Sequence, residues 1–368
     1  MTGMPSERPT TSTRDVATVV HALAVWLQRV LPSDELPDIE VLGGPGGAGF
    51  SSETVLFDVS YRRGGEPQLG RYVLRLPPPR DAFPLFPRYD LVRQATVMRL
   101  VRERSQVPVP AVPWFVEDEA VLGEPFLVME RVDGIAVSDV PPYVFGGWLA
   151  DATKADRDRV EAGMVRVLAG IHGVELTPEE ADALELGAPG ETPLRRHVAN
   201  QWAYYEWIRA EAGTRFPLVE GAFEKLDATW PEEGPAVVSW GDARLANVLF
   251  RDFEPVAVLD WESAAIAPRE VDLGWCIFFH QYFQRVAERF GYPGIPDFFE
   301  RDRVVAAYEE ASGQRVRDLD WYLLYAELRQ ALTSIRVTSR AVHFGERDEP
   351  DDPQDLIIDR DHLEEVVQ

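Results

Sequence analysis

The hydrophobic pattern of this chain changes period once, and that change limits its folding more than any other feature. Residues 36–76 carry a glycine cluster, then Val/Leu/Phe runs at near-alternating spacing, a Gly64-Gly65 turn and a further apolar run ending at Pro77, Pro78 and Pro79. Alternation interrupted by glycine predicts successive antiparallel strands joined by hairpins, and the prolines end the last strand because proline cannot donate into a ladder. Residues 89–103 show helical spacing in Leu91, Ala95, Met98 and Val101, after which strand and turn alternate through residue 134. From about residue 140 the spacing is helical, over 155–173, 194–211 and 301–312. Two short Val-rich runs, AVVSW at 236–240 and VAVLD at 256–260, interrupt the helices. The first third is therefore mostly sheet with one internal helix, and the remainder is mostly helical. At 368 residues the chain exceeds what one core usually supports, so two lobes are expected.

Charge narrows the partners. There are 62 acidic against 37 basic residues, a formal net charge of −25, and such a surface repels phosphate backbones, which argues against nucleic acid and anionic membrane. The lone cysteine, Cys276, excludes an internal disulfide and a cysteine metal cluster and fits a reducing compartment. Residues 1–14 are polar and Pro/Thr-rich and read as a mobile tail without an apolar secretion segment. The stretch 16–27 is too short for a membrane span; it reads as an amphipathic helix capped by Asp15 and stopped by Pro32. A cytoplasmic protein is expected. The tail 346–360 is acidic enough that only Leu356, Ile357 and Ile358 are expected to pack. The six histidines show no metal-ligand spacing, and His172 reads as a buried or helix-end residue.

The chemistry concentrates in SWGDARLANVLFRDFEPVAVLDWES, residues 239–263, where Asp242, Asn247, Asp260 and Glu262 stand among apolar residues. Asp and Asn favour turns, so two strands with a polar connection would account for Asp242 and Asn247. Phosphoryl transfer from a nucleotide needs a loop over the phosphates, a cation, two metal-binding side chains and a carboxylate that orients the nucleophile. Asp242 and Asn247 have the D-x-x-x-x-N separation of a catalytic loop, and Asp260 ends the next apolar run, as a returning hairpin would place it.

These residues, with VAVLDWESAAIAPREVDLGW, resemble the signature of the aminoglycoside/choline-kinase-like phosphotransferases, whose pattern is roughly HGD-x-x-x-x-N, then IDWE, then D-L. The likeness extends along nearly the whole chain: GFSSETVLFDV is similar to the family's nucleotide-loop hairpin, YVLRLPP to its cation-bearing strand, and PFLVMERVDG to its hinge. LRRHVANQWAYYEW resembles a subgroup related to the phosphotransferase domains found beside acyl-CoA dehydrogenases. The resemblance implies a two-lobed, protein-kinase-like α+β fold, with a sheet-rich nucleotide lobe over 15–130, a helical lobe over 131–368 and the nucleotide in the cleft. It implies transfer of the γ-phosphate of ATP or GTP to a hydroxyl of a small molecule, with Mg²⁺. Asp242 would be the catalytic base, Asn247 and Asp260 the metal ligands, and Glu262 either a neighbour of metal or substrate or a structural carboxylate. Asp272 in VDLGW resembles the helix-start aspartate that hydrogen-bonds the catalytic loop, a supporting role.

The chain departs from the family pattern in three places. Trp240 replaces the HGD histidine, so indole packing must substitute for the imidazole's hydrogen bond. Arg75 replaces the strand lysine, and it either contacts phosphate or is a surface strand residue. Gln94 replaces the helix glutamate that would pair with that cation. Gly47 and Gly49, with Ser51 and Ser52 on the following strand, form either the lid over the nucleotide or a flexible surface turn. Met129, Glu130 and Val132 occupy the hinge position, where backbone groups would read the base. A nucleotide-binding relative without turnover is the rival reading. The acceptor, the choice between ATP and GTP, and the oligomeric state are left open.

Overall fold

The computed structural model describes residues 15–43, 52–79 and 83–368, so the tail 1–14 and Gly47, Gly49 and Ser51 lie outside the described residues. The chain runs α1 (Val16–Val30), β1 (Asp38–Gly43), β2 (Glu53–Arg63), β3 (Glu66–Leu76), α2 (Leu91–Arg104), β4 (Trp114–Val116) and β5 (Phe126–Glu130). It continues through α3 (Lys154–His172), α4 (Pro178–Leu184), α5 (Pro193–Ala212), α6 (Pro217–Ala228), β6 (Ala236–Ser239), β7 (Val248–Arg251), β8 (Glu254–Val258) and β9 (Ala265–Pro268). Four helices complete it: α7 (Glu270–Arg289), α8 (Arg301–Ser312), α9 (Leu319–His343) and α10 (Arg360–Val367).

Two compact units result. The first comprises the described residues up to Ala95 with Ala111–Arg131, and the second comprises Thr96–Pro110 with Val132–Gln368. The sequence places all of 15–130 in one lobe, whereas the structure groups 96–110 with the second unit. The reason is local bonding: Pro108 accepts from the Val258 amide at 2.7 Å, and Arg104 forms a two-pronged pair with Glu180 at 2.6 and 2.7 Å.

The first unit is a five-stranded antiparallel sheet in the order β1-β2-β3-β5-β4. Gly64 and Gly65, at φ 59° and 84°, make the β2–β3 turn that glycine alone enters without strain. Alternation then sends Val55, Phe57 and Val59 of β2 inward against Leu23, Trp26 and Leu27 of α1. Asp15 caps α1 by accepting from the amides of Ala17 and Thr18.

In the second unit, β6 pairs with β9 and β7 with β8, each antiparallel, among the helices. No helix among the described residues is long and apolar enough to cross a membrane. The carboxy-terminal segment packs through Leu356 and Ile357 as its sequence suggests, but Ile358, expected to pack with them, is exposed. Leu356, Ile357, Asp359 and Leu363 are all buried, because Asp359 is held by Arg285 and Arg289 at 2.8 and 2.9 Å. Glu327, Asp359 and His362 also gather within metal-ligand reach of one another, which spacing along the chain does not reveal. Arg285 donates to both carboxylates there, so a guanidinium is the cation of that cluster.

Candidate active site

Asp242, Asn247, Asp260 and Glu262 all belong to the second unit. β6 leads into Trp240-Gly241-Asp242, a 3-10 turn at Leu245–Asn247 follows, and the β7–β8 hairpin returns the chain to Asp260. Val248 registers with Val258, and the Leu259 amide donates to the Asn247 carbonyl at 2.8 Å. The hairpin therefore sets Asn247 beside the residue that precedes Asp260. The buried Asn247 donates its side-chain nitrogen to the Asp242 carbonyl at 3.0 Å. That bond assigns the amide oxygen as the atom able to ligate a cation. Asp260 is half-buried at φ 57°, a left-handed conformation that Asp tolerates better than most residues and that persists only where the surroundings enforce it.

The Asp242 carboxylate is held at both oxygens. Oδ1 accepts from Trp275 Nε1 at 2.7 Å and Oδ2 from Arg244 Nε at 3.1 Å. Arg244 also donates Nη1 to Asp139 at 2.8 Å. Burial alone would lower the pKa of Arg244, but the charges of Asp242, Asp139, Asp260 and Glu262 outweigh it and keep the guanidinium above its ordinary value. One cation thus serves four carboxylates. Burial raises the Asp139 carboxyl, with Arg244 opposing and Asp242 adding to the rise. Its Oδ1 has no hydrogen bond among the described residues.

One face of α7 supports this loop from below. Asp272, Trp275 and Phe279 recur at helical spacing, so they line one side. Asp272 is fully buried. Its Oδ1 accepts from Ser239 Oγ and the Gly241 amide, both at 2.8 Å. Its Oδ2 accepts from the Trp240 amide at 2.7 Å and from His172 Nε2 at 3.1 Å. Burial by itself would raise this carboxyl, but the His172 hydrogen bond and charge, with the two amides, hold it below its usual value. His172 is buried at the end of α3, and its Nδ1 meets the Tyr308 hydroxyl at 2.7 Å. Phe279 lies under Arg244, 5.5 Å from guanidinium to ring centroid.

Trp240 does more than pack. Its indole donates to the Leu259 carbonyl at 2.9 Å, so it ties the Asp242 loop to the residue before Asp260. Gly241 stands at φ 85°, and a Cβ there would lie 2.1 Å from the Ser263 carbonyl oxygen, so no other residue fits. Arg244, Asp139, Trp275 and Arg329 escape the sequence reading. The signal available was the imbalance of 239–263 itself, five acids against Arg244 and Arg251.

In the first unit, Arg75 is buried, which overturns its reading as a surface strand residue. It registers with Thr54 and Leu127, and its Nε donates to Ser52 Oγ at 3.1 Å. Gln94 is buried, and neither amide atom has a hydrogen bond among the described residues. At the hinge position Met129 is buried in β5 and Glu130 is exposed. The Glu130 amide is committed to the Ala111 carbonyl at 2.8 Å. Val132, half-buried, falls on the other side of the division between units.

The donor chemistry suits Mg²⁺. The Asn247 amide oxygen and the Asp260 carboxylate are hard oxygen ligands, the kind that this ion prefers.

A protein-family model described as the phosphotransferase enzyme family matches residues 48–325. The protein named probable acyl-CoA dehydrogenase IBR3, of Arabidopsis thaliana, is 25% identical over 309 residues, which covers 80% of this chain and 36% of that protein. The chain therefore spans little more than a third of that relative's length. A Ralstonia eutropha protein assigned as an aminoglycoside phosphotransferase is similar in fold, at TM-score 0.63 and 22% identity over 94% of this chain and 96% of that one. A thermostable mutant of aminoglycoside phosphotransferase APH(4)-Ia, in ternary complex with AMP-PNP and hygromycin B, matches at TM-score 0.51 and 16% identity, covering 93% of this chain and 96% of that one. With its five-stranded sheet followed by a mainly helical unit, the chain has the protein-kinase-like α+β fold, and it belongs to the phosphotransferase enzyme family.

Proposed function

We propose that this chain transfers the γ-phosphate of ATP or GTP to a hydroxyl group of a small molecule. The observation that carries the reading is the joint anchoring of Asp242, Asn247 and Asp260 by one hydrogen-bonded loop and hairpin. The acceptor oxygen attacks the γ-phosphorus, its proton passes to the Asp242 carboxylate, and the bond to the β,γ-bridging oxygen breaks as the nucleoside diphosphate leaves. Asn247 and Asp260 would hold Mg²⁺, with Glu262 in its vicinity. The ion, when bound, supplies charge neutralisation for the phosphate oxygens. Arg244 orients the Asp242 carboxylate, while Trp240 and Asp272 fix the loop backbone. Arg75, beside Ser52, is the candidate cation for the nucleotide phosphates. Gly47, Gly49 and Ser51 are candidates for covering those phosphates, and Met129, Glu130 and Val132 for reading the base. The lone cysteine favours a cytoplasmic setting.

A second reading, nucleotide binding without turnover, draws on Gln94, whose side chain supplies no carboxylate for Arg75. A screen of amino-alcohols, aminoglycosides and hydroxyacyl compounds for Mg²⁺-dependent ATP or GTP consumption separates the two. Binding of nucleotide with no consumption across the panel would favour the second.

A further inference from the structure

Arg329 of α9 is 6% exposed, and its Nη2 donates to the Gly241 carbonyl at 2.7 Å. Its Nη1 has no hydrogen-bond partner among the described residues. Burying a guanidinium with an uncommitted N–H is costly unless something else receives its charge. That receiver is the Trp275 ring, whose centroid lies 4.1 Å from the guanidinium carbon. The same indole presents Nε1–H to Asp242 Oδ1 at 2.7 Å, the short distance of a charge-assisted bond. Cation on the face and anion at the N–H edge polarise the ring in the same sense, so each contact strengthens the other.

We infer that Trp275, backed by Arg329, is a positioning residue that fixes the plane of the Asp242 carboxylate for the acceptor hydroxyl. The inference rests on the proposed base role of Asp242. With Trp275 on one oxygen and Arg244 on the other, the carboxylate cannot rotate without losing both bonds. Of its roughly four lone-pair sites, these bonds leave about one on each oxygen for a substrate. Packing alone does not require tryptophan at 275. Its neighbours on α7 are Phe278 and Phe279, and a phenyl ring would fill an aromatic cluster equally well. Only the indole adds the N–H.

The test uses the full chain labelled with ¹⁵N-tryptophan, where the Trp275 indole resonance is the one absent from Trp275→Phe. Asp242→Asn and Arg329→Met are each expected to move that resonance upfield, and Arg329→Lys to move it less. With Mg²⁺, ATP and the pooled acceptor panel, Trp275→Phe should lower kcat about ten- to a hundred-fold. The KM for ATP should stay within about two-fold, as expected for an interaction that acts on the transition state. Trp275→His, which keeps a ring N–H, should recover part of the rate. The inference is overturned if Asp242→Asn leaves the indole resonance unmoved, or if Trp275→Phe turns over at the parental rate. It is also overturned if, in a Trp275→Phe variant that folds, kcat and ATP binding fall together, as they would from general damage to the site. Should Trp275→Phe not fold, Arg329→Met is read for the same split between kcat and KM. Parental turnover in Asp242→Asn with a shifted indole resonance would sink the base role of Asp242 while leaving the hydrogen bond intact, which tells the two failures apart.

Discussion

Replacing Asp272 by asparagine changes almost nothing in shape and should cost about 3 kcal/mol of stability. The carboxylate accepts four hydrogen bonds, two on each oxygen. An asparagine keeps one accepting oxygen and turns an NH₂ toward the other pair of donors. The cheaper orientation faces that NH₂ to Ser239, whose hydroxyl can rotate to accept, and leaves the Gly241 amide buried without a partner. An orphaned buried N–H costs about 1–3 kcal/mol. The surviving bonds also become neutral and lose roughly half their strength, or about 2 kcal/mol together. Relief from burying a charge returns part of this sum. The pH dependence has a definite sign. The folded-state pKa of Asp272 lies below its unfolded value, so its contribution is fully present above the ordinary carboxyl range and is lost as pH falls through the folded value. The contribution of the Asp272 carboxylate to the difference between parent and Asp272→Asn, measured by chemical denaturation, should therefore shrink in acid as pH falls through the folded value. His172→Gln, which keeps a donor toward Asp272, should cost less than Asp272→Asn. A loss below about 1 kcal/mol for Asp272→Asn would mean that the loop backbone is held elsewhere and would refute the reasoning.

Three further outcomes follow from the site. Asp242→Asn should retain nucleotide binding but lose transfer by at least about two orders of magnitude in a nucleotide-consumption assay, the usual weight of general-base catalysis. Nucleotide should raise the thermal midpoint clearly only with Mg²⁺ in the parent, and Asp260→Ala should abolish the Mg²⁺-dependent part; an unchanged rise would remove Asp260 from the metal assignment. Arg75→Ala should weaken ATP about ten- to a hundred-fold while sparing adenosine, with Arg75→Lys recovering part of the loss, by calorimetric titration. Equal losses for ATP and adenosine would point instead to damage around Ser52 and the sheet.

Much of the architecture was legible because its signals are local. The β2–β3 hairpin is written in alternation around Gly64-Gly65, and α3, α5 and α8 in the 3.6-residue spacing of their apolar positions. The carboxy-terminal segment was legible only in part, for the opposite reason. Leu356 and Ile357 are buried as their type suggests and Ile358 is exposed, but counting acids in 346–360 says nothing about Arg285 and Arg289, some seventy positions earlier, which pair with the buried Asp359.

The same distinction divides the candidate site. Asp242, Asn247 and Asp260 could be picked out because a loop and a hairpin join them within one short segment. The residues that orient Asp242 lie on α7 and α9, and nothing local marks them. Trp275 sits in a helix that also carries Phe278, Phe279, Tyr282 and Phe283, so its indole looks like one more aromatic in a core. Arg329 is one of several arginines on α9, indistinguishable in sequence from a solvated cation. Only the fold shows that one indole faces a guanidinium on one side and a carboxylate at its edge. Chemistry that depends on a side chain's two faces at once has no one-dimensional signature, whereas chemistry that depends on residue type and spacing has one. Residue type and spacing can therefore name the group expected to take the proton. They cannot name the groups that hold it still.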